Sequence, residues 1–247
     1  MTLEQFFKEV PRAALAFSGG TDSALLLWAA KTYGCDVRAY YVNTVFQPAF
    51  ELADAKRLAE ELEVPMTVVE ADVLAVPEAA VNGPRRCYYC KKALFTTLWK
   101  RAAEDGYTVL LDGTNASDDA GDRPGMQALR ELEVRSPLRE CGITKDQVRQ
   151  MSKEAGLFTW DKPAYACLAT RVPTGTAITR EALEKVERGE NAPFKLGFTD
   201  FRVRLMGDAA RIQLPEAQME RAVQLRDTIA KALEVDFSAV LLDLKGR

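Results

Sequence analysis

The sequence predicts an α/β protein, a doubly covered parallel sheet followed by a smaller C-terminal α+β domain. Three observations predict it. In the first half, short apolar runs alternate with longer helical patterns, as in a parallel sheet wrapped by crossover helices. The first run breaks into "SGGTDS" (Ser18–Ser23) before a helix, at the carboxyl edge where such sheets bind ligands. Past "WDKPAYACLATRVPTGTAIT" the alternation stops, and a different order of elements begins.

Buried parallel strands are expected at Ala13–Phe17, Val37–Val42, Thr67–Val69 and Thr108–Leu111, because all four are short, largely apolar runs. Helical patterns fall between them at Asp22–Thr32, Ala49–Leu62 and Lys91–Ala103. "VRSPL" (Val134–Leu138) reads as a fifth strand, and "TKDQ" at Thr144 as a capping box opening a helix that ends near Gly156. Pro163, Pro173 and Gly175 make the junction a loop. After it come a polar helix over Arg180–Arg188, the strands "FRVRL" and "ARIQL", a long helix over Glu216–Leu233, and the strand "AVLLDL". The expected domains are 1–160, binding nucleotide, and 161–247, with Cys167 in the junction loop.

Bulk properties set limits. A chain of 247 residues with 33 basic and 36 acidic side chains, net −3, argues against a broad basic surface for nucleic acid, though not against a local basic groove. No apolar run is long enough for a bilayer. The acidic, amphipathic "MTLEQFFKEV" is unlike a signal or transit peptide, so the cytoplasm is the expected compartment. Five cysteines do not pair evenly, and thiols there stay reduced. Catalysis or metal binding is the better use for those that are not simply buried.

The Ser18–Ser23 turn has the makings of a phosphate cradle. Gly19 and Gly20 let an anion approach backbone N–H groups. The following helix adds free N–H groups and a partial positive charge, and Ser18 and Ser23 add hydroxyls. It lacks the Gly-Lys-Ser/Thr ending of a Walker loop. A plainer reading is a glycine turn with Ser or Asp as helix cap. The pattern Ser-Gly-Gly-x-Asp-Ser, however, resembles the pyrophosphate loop of the PP-loop ATPases, whose sheet is Rossmann-like, of the adenine nucleotide alpha hydrolase type. These enzymes split ATP between the α and β phosphates to adenylate a carboxyl, carbonyl or amide carbon. The resemblance places Ala16, Phe17 and Asn43 beside the adenine. It makes Asp22 an organiser of the loop or a ligand of Mg2+. "DGTNASD" (Asp112–Asp118) is similar to a segment near the ribose and α-phosphate, which puts Gly113 there; the alternative is an ordinary Asx-rich loop.

The sequence contains no histidine. The commonest general base is missing, yet a carboxylate with a pKa of about 4 is already an ionised nucleophile at neutral pH. Adenylating one needs positioning, Mg2+ and cations rather than a proton acceptor.

"PRRCYYCKKALF" puts Cys87 and Cys90 at a helix start, and "YACLATRVPTG" carries Cys167. Structural zinc wants four Cys or His ligands. A dithiol at a helix N-terminus leaves Cys167 idle. An iron–sulfur cluster accepts three thiolates and leaves one iron open. Cys35 and Cys141 sit in turn-like contexts and read as buried thiols. The order of Ser-Gly-Gly-x-Asp-Ser, "RCYYCKK", "DGTN", "RPG", "SPLRE", "CLATRVPTG", "FRVR" and "ARIQLPEA" is similar, over nearly the whole chain, to the LarE family. These are ATP-dependent sulfur transferases that make the nickel-pincer nucleotide cofactor of lactate racemase. The resemblance implies adenylation of the carboxylates of pyridinium-3,5-biscarboxylic acid mononucleotide, then displacement of AMP by sulfur. One branch sacrifices a cysteine sulfur. The other holds a [4Fe-4S] cluster on three cysteines, and Cys87, Cys90 and Cys167 look like that branch, with Cys167 at or beside the sacrificial position. The sulfide donor stays open, and a homo-oligomer is implied.

Arg202 and Arg204 alternate with apolar residues, so both point to one strand face. Paired guanidiniums suit a phosphate, and the resemblance assigns this pair to the substrate phosphate; a solvent-facing edge is the alternative. Arg211 is a lesser candidate, Arg171 is expected to neutralise ATP or substrate phosphates, and Lys91 or Lys92 to face phosphates. Glu190 matches a carboxylate that binds metal or phosphate at a subunit contact in some family members, but Gln213 stands where its partner carboxylate would be. Competing readings are tRNA thiolation, against which the pI near 5.3 argues, ammonia-dependent amidation, which leaves the cysteines without a role, and a nucleotide- or cluster-binding partner without chemistry.

Overall fold

The structure is a computed structural model and describes residues 1–118 and 124–247. Arg123 of the "RPG" motif lies outside the described residues. The chain divides into two compact units, Met1–Ala79 with Arg85–Lys162, and Ala80–Pro84 with Pro163–Arg247. No helix among the described residues is long and apolar enough to cross a membrane.

The first unit runs α1 (Leu3–Glu9), β1 (Arg12–Ala16), α2 (Thr21–Thr32), β2 (Asp36–Asn43), α3 (Ala49–Glu61), β3 (Met66–Glu70), the single turn α4 (Pro77–Ala80), α5 (Arg86–Glu104), β4 (Leu110–Leu111), α6 (Pro124–Glu131), α7 (Pro137–Glu140) and α8 (Lys145–Glu154). Its sheet has the order β3-β2-β1-β4, all parallel. The chain winds outward from β1 to β3, then returns to the other side of β1 as β4. The switch point is therefore between β1 and β4, and a crevice opens beyond their carboxyl ends. α2 is buried on nearly every side, with Leu25, Leu26, Leu27, Ala29 and Ala30 inaccessible to solvent, as suits the central helix of a unit.

Two expectations for this unit change. Val134–Leu138 forms no fifth strand; it makes one parallel bridge, Arg135 to Leu111, before α7 begins. Pro137 is the reason, since it lacks an N–H for a ladder and is preset for a helix start. The helix expected from Lys91 starts five residues earlier, at Arg86, so Cys87 and Cys90 both lie within α5.

The second unit runs α9 (Arg180–Lys195), β5 (Arg202–Met206), β6 (Ala209–Gln213), α10 (Met219–Gln224), α11 (Arg226–Leu233) and β7 (Val240–Leu242). β5 and β6 form an antiparallel hairpin and β7 joins β6 in parallel. Phe198, Val203, Ile212, Leu233 and Phe237 form its core. The helix expected to end at Arg188 continues to Lys195, because Gly189, Glu190 and Pro193 extend its buried face. Gly189 is required there: a Cβ would lie 2.9 Å from the Phe237 ring. The long helix expected over Glu216–Leu233 is instead a 3-10 turn, Glu216–Gln218, followed by α10 and α11 with a break at Leu225. Ala80–Pro84 joins this unit through the Asn82 side chain, which donates to the Val172 and Pro173 carbonyls at 3.3 and 2.9 Å.

Candidate nucleotide and sulfur-transfer site

Two loops meet at the switch point. After β1, Ser18–Gly20 turns the chain into α2. Gly19 has φ +70°, and a Cβ there would meet Ala55 backbone at 3.1 Å, so only glycine fits. Ser18 and Ser23 brace the turn. The Ser18 N–H donates to Ser23 Oγ at 3.3 Å, the hydroxyls lie 3.1 Å apart, and Ser23 Oγ donates to the Gly20 carbonyl at 3.1 Å. Gly20 is the N-cap of α2 and supplies no side-chain acceptor. The first N–H groups of that helix are thus left for an anion.

After β4, Asp112 is buried and organises its own loop. It accepts from Ser136 Oγ at 2.6 Å and from the Thr114 N–H and hydroxyl. Gly113 touches the other loop so closely that a Cβ would sit 3.0 Å from Ser23 N. Asn115 reaches across: its Nδ2 donates to Asp22 Oδ1 at 3.0 Å. The other Asp22 oxygen accepts from Lys145 Nζ at the start of α8. Asp22 is therefore the point where three elements join. Asn115 lies in the "DGTN" segment and Lys145 in the "TKDQ" capping box, but neither reads there as a partner of Asp22, because nothing in their local pattern shows that the loop after β4 and α8 return to α2.

Ala16, Phe17 and Ser18 line a cavity of about 140 Å³ beside the loop, together with Tyr40, Tyr41, Val42 and Glu51. The cavity adjoins the residues expected around an adenine. The Tyr41 hydroxyl is buried without a hydrogen-bond partner, and burial pushes its pKa up. Asn43, also expected there, donates Nδ2 to both Glu70 carboxylate oxygens at 3.0 Å. Lys92 is spent on Glu131 at 2.9 Å and on the Tyr88 hydroxyl at 3.0 Å.

In the second unit the expected arginines lie around Glu190. Arg171 has no exposed side-chain surface; its Nε donates to Glu190 Oε1 at 2.7 Å, and its Nη1 to the Ala166 carbonyl at 2.8 Å. Glu190 also accepts from the Tyr165 hydroxyl and from the Val203 N–H. The sequence places Arg171 among phosphate ligands, whereas here its charge is matched by a buried carboxylate. Arg202 is buried and donates to the Phe201 and Ala164 carbonyls at 2.6 Å, and burial pushes its pKa down to about 10. Arg204 donates to Gln213 Oε1 and to the Thr170 carbonyl. Gln213 thus holds Arg204 in place and donates to Asp243 at 2.8 Å. Arg211 faces Asp243 at 3.8 Å.

Cys87 is exposed and Cys90 half-buried, one turn apart on α5; Cys167 is half-buried just before a 3-10 turn of the second unit. Three thiols are a suitable donor set for a [4Fe-4S] cluster. Among the described residues, however, no three His, Cys, Asp or Glu side chains are grouped as a metal requires. Cys35 is buried, as expected of a structural thiol, and Cys141 only half-buried. Burial pushes the Cys35 pKa up to about 11.

A parallel sheet whose first strand enters a Ser-Gly-Gly-x-Asp-Ser loop at the switch point defines an ATP-using protein of the PP-loop class. Comparison with known proteins agrees. Residues 12–81 match the family described as queuosine biosynthesis protein QueC. The chain is 36% identical over 248 residues to the pyridinium-3,5-bisthiocarboxylic acid mononucleotide synthase of Lactiplantibacillus plantarum, covering 99% of this chain and 90% of that protein. It is 39% identical over 250 residues to an uncharacterized Synechocystis protein, covering 99% and 92%. A tRNA-specific 2-thiouridylase of Clostridium botulinum is 25% identical over 210 residues, 71% of this chain and 60% of that one. The chain belongs to the LarE family of ATP-dependent sulfurtransferases.

Proposed function

We propose that the protein converts the carboxylates of pyridinium-3,5-biscarboxylic acid mononucleotide into thiocarboxylates at the expense of ATP, as a step toward the nickel-pincer cofactor of lactate racemase. The observation that carries this reading is identity to the named synthase over 99% of the chain. A substrate carboxylate oxygen attacks the α-phosphorus of ATP and pyrophosphate leaves. A sulfur nucleophile then attacks the acyl carbon of the mixed anhydride, and AMP leaves with the bridging oxygen. The first displacement uses an already ionised carboxylate and asks the protein for no proton acceptor, which suits a chain without histidine.

The residues take these parts in the proposal. Ser18, Gly19, Gly20, Ser23 and the start of α2 hold the leaving pyrophosphate. Ala16, Phe17 and Asn43 border the adenine, and Gly113 lies on the α-phosphate side. Asp22 orders the loop or receives Mg2+. Arg202 and Arg204 bind the substrate phosphate, and Arg171 supports that region through Glu190. Cys87, Cys90 and Cys167 are assigned to a [4Fe-4S] cluster, which when bound supplies an iron with an exchangeable site for sulfide. A homo-oligomer in the cytoplasm is part of the same reading.

The test is anaerobic incubation of the full chain with ATP, Mg2+, sulfide and the pyridinium dicarboxylate, followed by mass spectrometry. Pyrophosphate, AMP and oxygen-for-sulfur exchange are expected together. Pyrophosphate without sulfur incorporation, or sulfur appearing only in added tRNA, overturns the substrate assignment.

A further inference from the structure

Residues 157–162, the last of the first unit, carry the chain from α8 on toward Cys167. They are fastened at several points. Arg149 of α8 donates to the Trp160 and Lys162 carbonyls at 2.9 and 3.1 Å. Lys162 Nζ donates to Asp54 Oδ2 on α3 at 2.6 Å. The Thr159 carbonyl accepts the Lys162 N–H at 3.2 Å and the Thr21 hydroxyl at 2.9 Å. Thr21 is the variable position of Ser-Gly-Gly-x-Asp-Ser and the first residue of α2.

Two of these ties end on the phosphate loop or on the helix beside it. Thr21 is buried. Its backbone N–H is among those left for an anion at the start of α2, while its side chain holds a carbonyl 138 residues further on. Asp54 precedes Ala55, whose backbone stands against Gly19. An anion seated on the loop therefore bears on the same two places that hold residues 157–162, the first turn of α2 and the neighbouring turn of α3. Lys162 lies five residues before Cys167. Five residues span at most about 17 Å, so whatever fixes Lys162 limits where that thiol can go. Helix propensity does not call for threonine at position 21, since a β-branched residue is a poorer helix former than alanine. Its hydroxyl is given to a carbonyl outside its own helix.

We propose that Thr21 is a positioning residue for sulfur transfer. Its N–H meets the nucleotide, and its hydroxyl holds the segment that leads to Cys167, with Lys162 on Asp54 as the second tie. ATP on the loop stiffens the first turn of α2 and, through these ties, residues 157–162. The stretch before Cys167 is thereby ordered when the acyl group is activated and looser when the loop is empty. Such coupling is reciprocal, so freeing the segment also weakens nucleotide binding. The proposal rests on Ser18–Ser23 holding the ATP phosphates and on the part given to Cys167 above, and its test reads binding and coupling separately.

The experiment is hydrogen–deuterium exchange of the full chain with and without α,β-methylene-ATP and Mg2+, for wild type, Thr21→Val, Thr21→Ser and Lys162→Met. Calorimetric titration fixes the saturating nucleotide concentration for each. Thr21→Val keeps the side-chain shape and the backbone N–H and loses the hydroxyl. In wild type the nucleotide is expected to slow exchange over residues 157–167 by about tenfold, an ordinary size for coupling between two sites. Thr21→Val and Lys162→Met are each expected to show less than about twofold slowing at saturation, and Thr21→Ser about the wild-type effect. A bond that served folding alone would lower the melting temperature of Thr21→Val and leave the nucleotide effect at its wild-type size. That result overturns the proposal, as does a wild type that binds the analogue without slower exchange. A wild type that binds no analogue overturns it together with the function proposed above. Should Thr21→Val fail to fold, the other two variants decide: Thr21→Ser must keep the slowing and Lys162→Met must lose it, or the proposal falls.

Discussion

Asn115 Nδ2 donates to Asp22 Oδ1 at 3.0 Å and so ties the loop after β4 to the loop after β1. Those loops leave the two strands that flank the switch point. One hydrogen bond thus spans the crevice where a parallel α/β sheet binds its ligand. Replacing Asn115 with Ala removes the tie, and replacing it with Asp sets one carboxylate against another. Pyrophosphate release is expected to fall about tenfold in Asn115→Ala and further in Asn115→Asp, where repulsion adds to the lost bond. Asp22→Ala is expected to lose adenylation while keeping the fold, as read by circular dichroism.

Gly113 has no room for a side chain because Ser23 N stands 3.0 Å from where a Cβ would be. Gly113→Ala forces the two loops apart. An overpacking cost of about 1–3 kcal/mol is expected, and ATP affinity should fall with it. Gly106→Ala is the control, since it strains a positive φ at a turn where the close neighbour is the end of the Arg12 side chain, 3.8 Å away. It should lower the melting temperature without changing ATP affinity.

Arg171 and Glu190 form a buried ion pair. Removing one partner strands a charge, so Arg171→Met and Glu190→Gln are each expected to cost about 3–5 kcal/mol in urea unfolding. The double variant should cost less than the sum of the two. Additivity, or an Arg171→Met variant that keeps full stability and loses ATP binding, would return Arg171 to the phosphates.

Alkylation separates the cysteines. The Cys35 pKa, pushed up to about 11, leaves roughly one part in a thousand as thiolate at pH 8, and the residue is buried. Iodoacetamide is expected to label exposed Cys87 first and Cys35 last in protein free of metal. Raising the pH toward 11 should increase Cys35 labelling, since the thiolate fraction grows until pH passes the pKa. Cys87→Ala, Cys90→Ala and Cys167→Ala are each expected to lower the iron bound after anaerobic reconstitution; normal iron and turnover in all three would end the cluster assignment.

The sheet was legible in the sequence because buried parallel strands and their helices repeat a strong local pattern. The Ser-Gly-Gly-x-Asp-Ser turn was legible because its residues lie together in one short stretch between a strand and a helix, and because that stretch resembles a known phosphate loop. Errors fell where local signals ran short. Val134–Leu138 has strand-like composition, but Pro137 starts a helix within it. The break at Leu225 has no marker in the residues around it.

The sequence by itself determined which chemical groups this protein possesses: a phosphate loop without lysine, thiols but no histidine, and arginines in alternation on a strand. Only the tertiary structure decided which of them meet. Lys145 stands on Asp22, Asn115 joins them, and Arg171 turns inward to Glu190. Hydrophobic burial folds the chain through apolar periodicity that can be read along it. The pairing of charges depends on where distant segments return, and no periodicity records that.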